Sequence, residues 1–202
     1  MRKMDSLFKL DVMGLNIPEI LHYIPAKSTP EHELQLKHVL QQEQRHAHKL
    51  SIRTEKPGQF KSPFLPNAEV PKVREFLKSL MGGGYEILLC KGLPTNSIIR
   101  GNCVPSLHNN YFEYLAGPGT VRDIDEGGRT PKTLTLPWGH YVPNMGTILA
   151  GAFQKVNSHL FPHRFELGHK IIEFTVFSKP VGILQQNTIF WEVRDYGGPP
   201  RV

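Results

Sequence analysis

The segment Val70 to Asn96, VPKVREFLKSLMGGGYEILLCKGLPTN, constrains the fold most. Val73, Phe76, Leu77 and Leu80 fall at i, i+3, i+4 and i+7, the spacing of one apolar helix face. Pro71 suits the first turn, where a missing N–H leaves no bond unmade. Gly82, Gly83 and Gly84 then stop the helix, because glycine enters the left-handed region without a Cβ penalty. Tyr85 to Cys90 follows as a short apolar strand, closed by Pro94. A helix reversing through glycine into a buried strand requires a sheet with a helix packed on it.

The remaining segments extend that picture. Ser28 or Thr29 caps a helix that starts at Pro30 and Glu31 and runs towards Leu50. Ile17 to Ile24 has the look of a helical turn or two, and residues 54 to 70 read as a Pro-rich connector pinned by Phe60, Phe64 and Leu65. Ser97 to Cys103 is expected as a strand and Ser106 to Ala116 as a short helix. Residues 117 to 146 form a long irregular stretch of the kind that carries function. Thr147 opens a helix with Leu149, Ala152, Phe153, Val156 and Leu160 on one face, ended by Pro162. In HKIIEFTVFSK, Ile172, Phe174 and Val176 alternate with Glu173 and Thr175, a strand pattern, and Lys179-Pro180 turns into the partner VGILQQNTIFWEV. The expectation is an α+β protein with a mainly antiparallel sheet, divided into an N-terminal helical arm (1–53) and an α+β domain (54–202).

Composition is that of a globular chain: 202 residues, 39% hydrophobic and 21% charged. The net charge of +6 admits an anionic partner, nucleic acid or an anionic surface, but the cations are scattered among acidic residues. Two cysteines, one inside an apolar strand, fit a reducing compartment such as the cytoplasm. No apolar run reaches the length of a membrane span, and MRKMDSLFKLDVMGL interleaves charge too densely for a secretory signal.

The ten histidines offer the first candidate chemistry. His163, Glu166 and His169, with His159 nearby, offer imidazole and carboxylate donors suited to zinc or non-haem iron, although Pro162 interrupts the helix between His159 and His163. They would serve an iron enzyme or a metal-dependent hydrolase. His46 and His48 read as solvated residues at a helix end. Arg122, Asp123, Asp125, Glu126 and Arg129 read as a charged turn beside Gly127-Gly128. Trp138, His140 and Tyr141 either line a pocket or anchor their loop.

The stretch KSLMGGGYEILLCKGLPTN, preceded by Phe64-Leu65-Pro66 and followed by ILAGAFQKVNSHL and GHKIIEFTVF, resembles the N-terminal half of the taurine dioxygenase and clavaminate synthase-like oxygenases over residues 60 to 180. The resemblance implies Fe(II) and 2-oxoglutarate as cofactors, a small-molecule substrate and a partial double-stranded β-helix. The family's His-x-Asp/Glu iron motif is absent, since none of the ten histidines has Asp or Glu two residues later. The resemblance therefore implies an incomplete enzyme, or one completed by a partner subunit or a homo-oligomer. The alternative expectation is a non-enzymatic basic structural or interaction protein, viral matrix-like or nucleic-acid-binding.

Overall fold

A computed structural model describes residues 3–59, 62–94, 96–117, 130–139 and 146–196. The fold is α+β, built from two open antiparallel sheets. Contacts cluster into two units, Pro18–Leu93 and a second made of Met1–Ile17 with Pro94–Val202. The arm expected over residues 1 to 53 is thus shared between them.

The first unit holds β1 (Ile20–Ile24), α1 (Pro30–Arg45), β2 (Leu50–Glu55), β3 (Phe64–Ala68), α2 (Val70–Leu80) and β4 (Glu86–Lys91), with strand order β1-β4-β2-β3. Thr29 caps α1 in a reciprocal pair with His32, as the sequence suggests. The helix stop after α2 is also as expected: Gly82 and Gly84 take φ of 76° and 72°. Val73, Leu77 and Leu80 bury against Ile52, Ile87 and Leu89 of the sheet. Three expectations are corrected here. Ile20–Ile24 is a strand rather than helical turns, the helix expected to reach Leu50 ends at Arg45 and Leu50 instead opens a strand to Glu55, and Phe64–Ala68 is a strand inside the supposed connector. Each strand is short, and each is held by pairing to a distant segment rather than by local pattern.

The second unit holds αN (Lys3–Val12), β5 (Ser97–Pro105), β6 (Asn109–Ala116), β7 (Lys132–Pro137), α3 (Thr147–Leu160), a 3-10 turn (Phe161–His163), β8 (Lys170–Val181) and β9 (Gln186–Asp195). Its strand order is β7-β6-β5-β8-β9. The helix expected over Ser106 to Ala116 is a turn followed by β6. Ser106 Oγ accepts from the Asn109 backbone N–H at 3.2 Å and closes the turn, and then Asn110, Phe112 and Tyr114 bury on alternate positions. β7 likewise gives order to part of the stretch expected to be irregular. The hairpin turn after β8 lies at Gly182–Gln185, not at Lys179-Pro180. Gly182 has φ 74°, and a Cβ there would stand 2.6 Å from the Ile17 carbonyl oxygen. Neither strand order supports the partial double-stranded β-helix.

One face of this second sheet is apolar and packed under α3. Phe153 meets Phe112 and Tyr114 edge-on at 5.0 and 4.7 Å, and Phe112 meets Phe174 at 5.8 Å. αN packs on β9, with Met4, Leu7 and Leu10 buried. Since strand side chains alternate, everything between those core residues points to the other face.

Candidate functional site

That other face carries the charge. The strand registers place Glu113 of β6 opposite Asn102 of β5, Asn102 opposite Glu173 of β8, and Glu173 opposite Glu192 of β9. One polar row therefore crosses four strands. Cross-strand partners have Cβ atoms ~5 Å apart, so Glu173 and Glu192 stand side by side on this face. Like charges so placed oppose folding, and a cation offsets them. Arg194, two residues beyond Glu192 on the same face, places Nη1 3.9 Å from Glu192 Oε1. Glu192 is 6% exposed and Asn102 7%, so these two members of the row are withdrawn from solvent, while Glu113 and Glu173 are half-buried.

A second charged group lies one row away. Arg100 is fully buried, and its guanidinium donates to the Gly117 carbonyl, which also accepts from Ser97 Oγ at 2.9 Å. A buried guanidinium is tolerated only with such partners. Thr175, opposite Arg100, accepts from Trp191 Nε1 at 2.9 Å. The register shift between Glu173 and Phe174 makes room for the extra residue on β9 and turns Trp191 onto the polar face.

The expected histidine site does not assemble. Among the described residues no three His, Cys, Asp or Glu side chains come together as metal ligands. Glu166 pairs with Lys9 at 3.5 Å instead. His169 sits in left-handed backbone at φ 61°, with its N–H donating to Pro105 and its carbonyl accepting from Tyr196. His163 is the last residue of the 3-10 turn formed where Pro162 ends the helix. His46 and His48 stack at 5.5 Å, and His48 faces Glu43 at 2.7 Å. Trp138 anchors its loop by donating to the Ser106 carbonyl at 2.8 Å. His140, Tyr141 and the group Arg122, Asp123, Asp125, Glu126 and Arg129 lie outside the described residues. A cleft of about 720 Å³ in the first unit, around His22, Lys37 and His38, has no carboxylate in its lining. The polar face holds the denser chemistry.

Sequence reasoning passed over the polar row although signals were present. Arg100, Glu173 and Glu192 each interrupt an otherwise apolar strand, in SIIRGNCVP, KIIEFTVF and TIFWEV.

No protein family and no curated protein matches the chain by sequence. Among solved structures it is similar to D-alanyl-alanine synthetase A from Vibrio cholerae O1 biovar eltor str. N16961, at 13% identity and a TM-score of 0.51. The match covers 99% of this chain and 56% of that one, so the chain spans little more than half of its neighbour's length. The likeness is one of fold. It overturns the oxygenase resemblance: the glycine-ended helix and the strand after it belong to a sheet arrangement shared with a synthetase, and the iron and 2-oxoglutarate expected with that resemblance lose their basis. Among the described residues no helix is long and apolar enough to cross a membrane.

Proposed function

We propose that this chain is a ligase domain that uses a nucleoside triphosphate to join a carboxyl group to an amine. The observation that carries the reading is the side-by-side placement of Glu173 and Glu192 on the polar face of a sheet whose other face packs under α3. The structural neighbour is named for making a dipeptide, and the same class of reaction is inferred for this chain. Joining a carboxylate to an amine in water is uphill, so the carboxyl group must first be activated, commonly by phosphoryl transfer.

The donor set fits a divalent cation of the magnesium class. Such ions take hard oxygen ligands and are commonly held by one or two carboxylates plus the substrate's own phosphates. Two adjacent carboxylates meet that need, and a closed cage of three or more protein ligands is not required. When bound, the cation would neutralise phosphate charge. Glu173 and Glu192 would hold it, and Arg194 beside Glu192 would keep that carboxylate oriented. Both cysteines are free and buried, which favours a reducing compartment such as the cytoplasm.

Titration of the full chain with a fluorescent nucleotide, with and without magnesium, tests the reading. Magnesium-dependent binding is expected. Glu173→Gln and Glu192→Gln should each weaken it by about tenfold or more, a loss that even the outer-shell partners of metal ligands can produce. Binding that ignores both magnesium and these substitutions, or no binding at millimolar nucleotide, refutes it.

A further inference from the structure

Next to the carboxylate pair, on the same face of the second unit's sheet, lies a separate cavity of about 130 Å³. Val104 and Ile171 form its apolar floor, and the side chains of Asn102, Glu113 and Arg194 line it together with Tyr111 and Tyr196. Asn102 is 7% exposed, and its Oδ1 has no hydrogen-bond partner among the described residues. A buried amide oxygen without a donor is costly, and native proteins seldom leave one unless something else occupies the site. The missing group is a donor.

Charge narrows its identity. Glu113 is the one carboxylate in the lining, and the Arg194 guanidinium there is drawn towards Glu192, which lies outside the lining, at 3.9 Å. A carboxylate or phosphate ligand would confront Glu113 and add an acceptor to Asn102 Oδ1. An ammonium group supplies three N–H donors and a positive charge, matching both. Size narrows it further. An engineered cavity of about 150 Å³ takes benzene, so this one suits a ligand of about six heavy atoms or fewer.

We infer that this cavity seats the ammonium group of a small primary amine, with Asn102 Oδ1 and Glu113 as its acceptors. The inference rests on the ligase reading above, to which it adds the place and size of the amine substrate. The Glu173–Glu192 pair is not part of the cavity lining, so the two sites are separable by mutation.

Binding to the full chain, without nucleotide and at constant ionic strength, is measured calorimetrically for methylamine, ethanolamine and glycine, with acetate, inorganic phosphate and potassium chloride as contrasting probes. Saturable binding of methylamine and ethanolamine is expected, without competition from acetate or phosphate. Glu113→Gln and Asn102→Ala should weaken it about tenfold, the equivalent of one charge-assisted hydrogen bond, and leave magnesium-dependent nucleotide binding within twofold. Acetate or phosphate binding as well as the amines, potassium alone saturating the site, or unchanged amine affinity in both variants overturns the inference. Should either variant fail to fold, competition between amines and anions on the unaltered chain decides it. Nucleotide binding without amine binding removes the cavity's role and leaves the ligase reading standing. Amine binding without nucleotide binding removes the ligase reading, and with it the substrate role inferred for the amine.

Discussion

Asn16 is the residue whose loss should reach furthest into the second unit. It is fully buried, and its Nδ2 donates to the carbonyls of Val181 and Thr188, each at 2.8 Å. Its Oδ1 accepts from the Leu184 N–H at 2.8 Å, and its own carbonyl accepts from Phe190 at 2.9 Å. One side chain thus ties together both strands and the turn of the β8–β9 hairpin, which carries Glu173 and Glu192. Asn16→Ala keeps the backbone bond and removes the others. Two carbonyls lose a donor at about 1 kcal/mol each, and an amide loses its acceptor at about 2, for a total near 4 kcal/mol. At roughly 2–4 °C per kcal/mol for a chain of this size, the midpoint should fall by about 10 °C. Asn16→Asp sharpens the test. A carboxylate there confronts the carbonyls of Val181 and Thr188, so folding favours its neutral form and raises its folded pKa above the unfolded value. The penalty is then greatest at neutral pH and eases as pH falls towards that of the protonated acid. Urea unfolding followed by circular dichroism at two pH values reads both effects. A loss below about 1 kcal/mol for Asn16→Ala, or identical behaviour of the two variants at pH 7, would refute the assigned role.

Three other outcomes follow from the same structure. Gly101→Ala should cost about 4 kcal/mol or more in thermal unfolding, because its Cβ would stand 2.1 Å from the Glu113 carbonyl oxygen and 2.8 Å from Tyr114 Cα, both backbone atoms. Burial raises the Cys90 thiol to about 11 and the Cys103 thiol higher still, so a thiol reagent at pH 8 should leave the native chain unreacted and find two thiols after unfolding in guanidinium. Burial, aided by Lys155, lowers the pKa of His159. The unfolded chain therefore takes up the proton first, and stability should fall as pH drops below the ordinary histidine value. His159→Gln should flatten that acid limb of a stability–pH curve.

Elements fixed by local chemistry were legible in the chain. α2 announces itself through Val73, Phe76, Leu77 and Leu80, and its end through glycines that the backbone does hold at positive φ. α3 was equally plain, because its apolar residues recur at helical period from Leu149 to Leu160, and β8 showed in the alternation of Ile172, Phe174 and Val176, but β9 sets Ile189, Phe190 and Trp191 in succession and shows no such period. β6 was not, because NNYFEYLA has apolar residues on both parities and its one-in, one-out burial depends on Phe153 and Asn157 lying above it. β1 and β3 are five residues each, too short for a period to show, and exist because β4 and β2 supply their hydrogen bonds.

The polar row was missed for a different reason. A motif search looks for ligands clustered in sequence, and the histidines around His163 satisfied it without coming together as ligands among the described residues. Glu113, Glu173 and Glu192 sit in three separate strands and fall into one row through the β6–β5, β5–β8 and β8–β9 registers, the last of them shifted by a bulge after Glu173. No local spacing encodes that. What the sequence does show is a set of charges in strands that are otherwise apolar, at Arg100, Glu173 and Glu192. Burying a charge opposes folding, so a strand keeps one only where a partner, a ligand or an ion offsets it. Such isolated charges, followed through the strand pairing to see which of them meet, mark the polar face more directly than any histidine count.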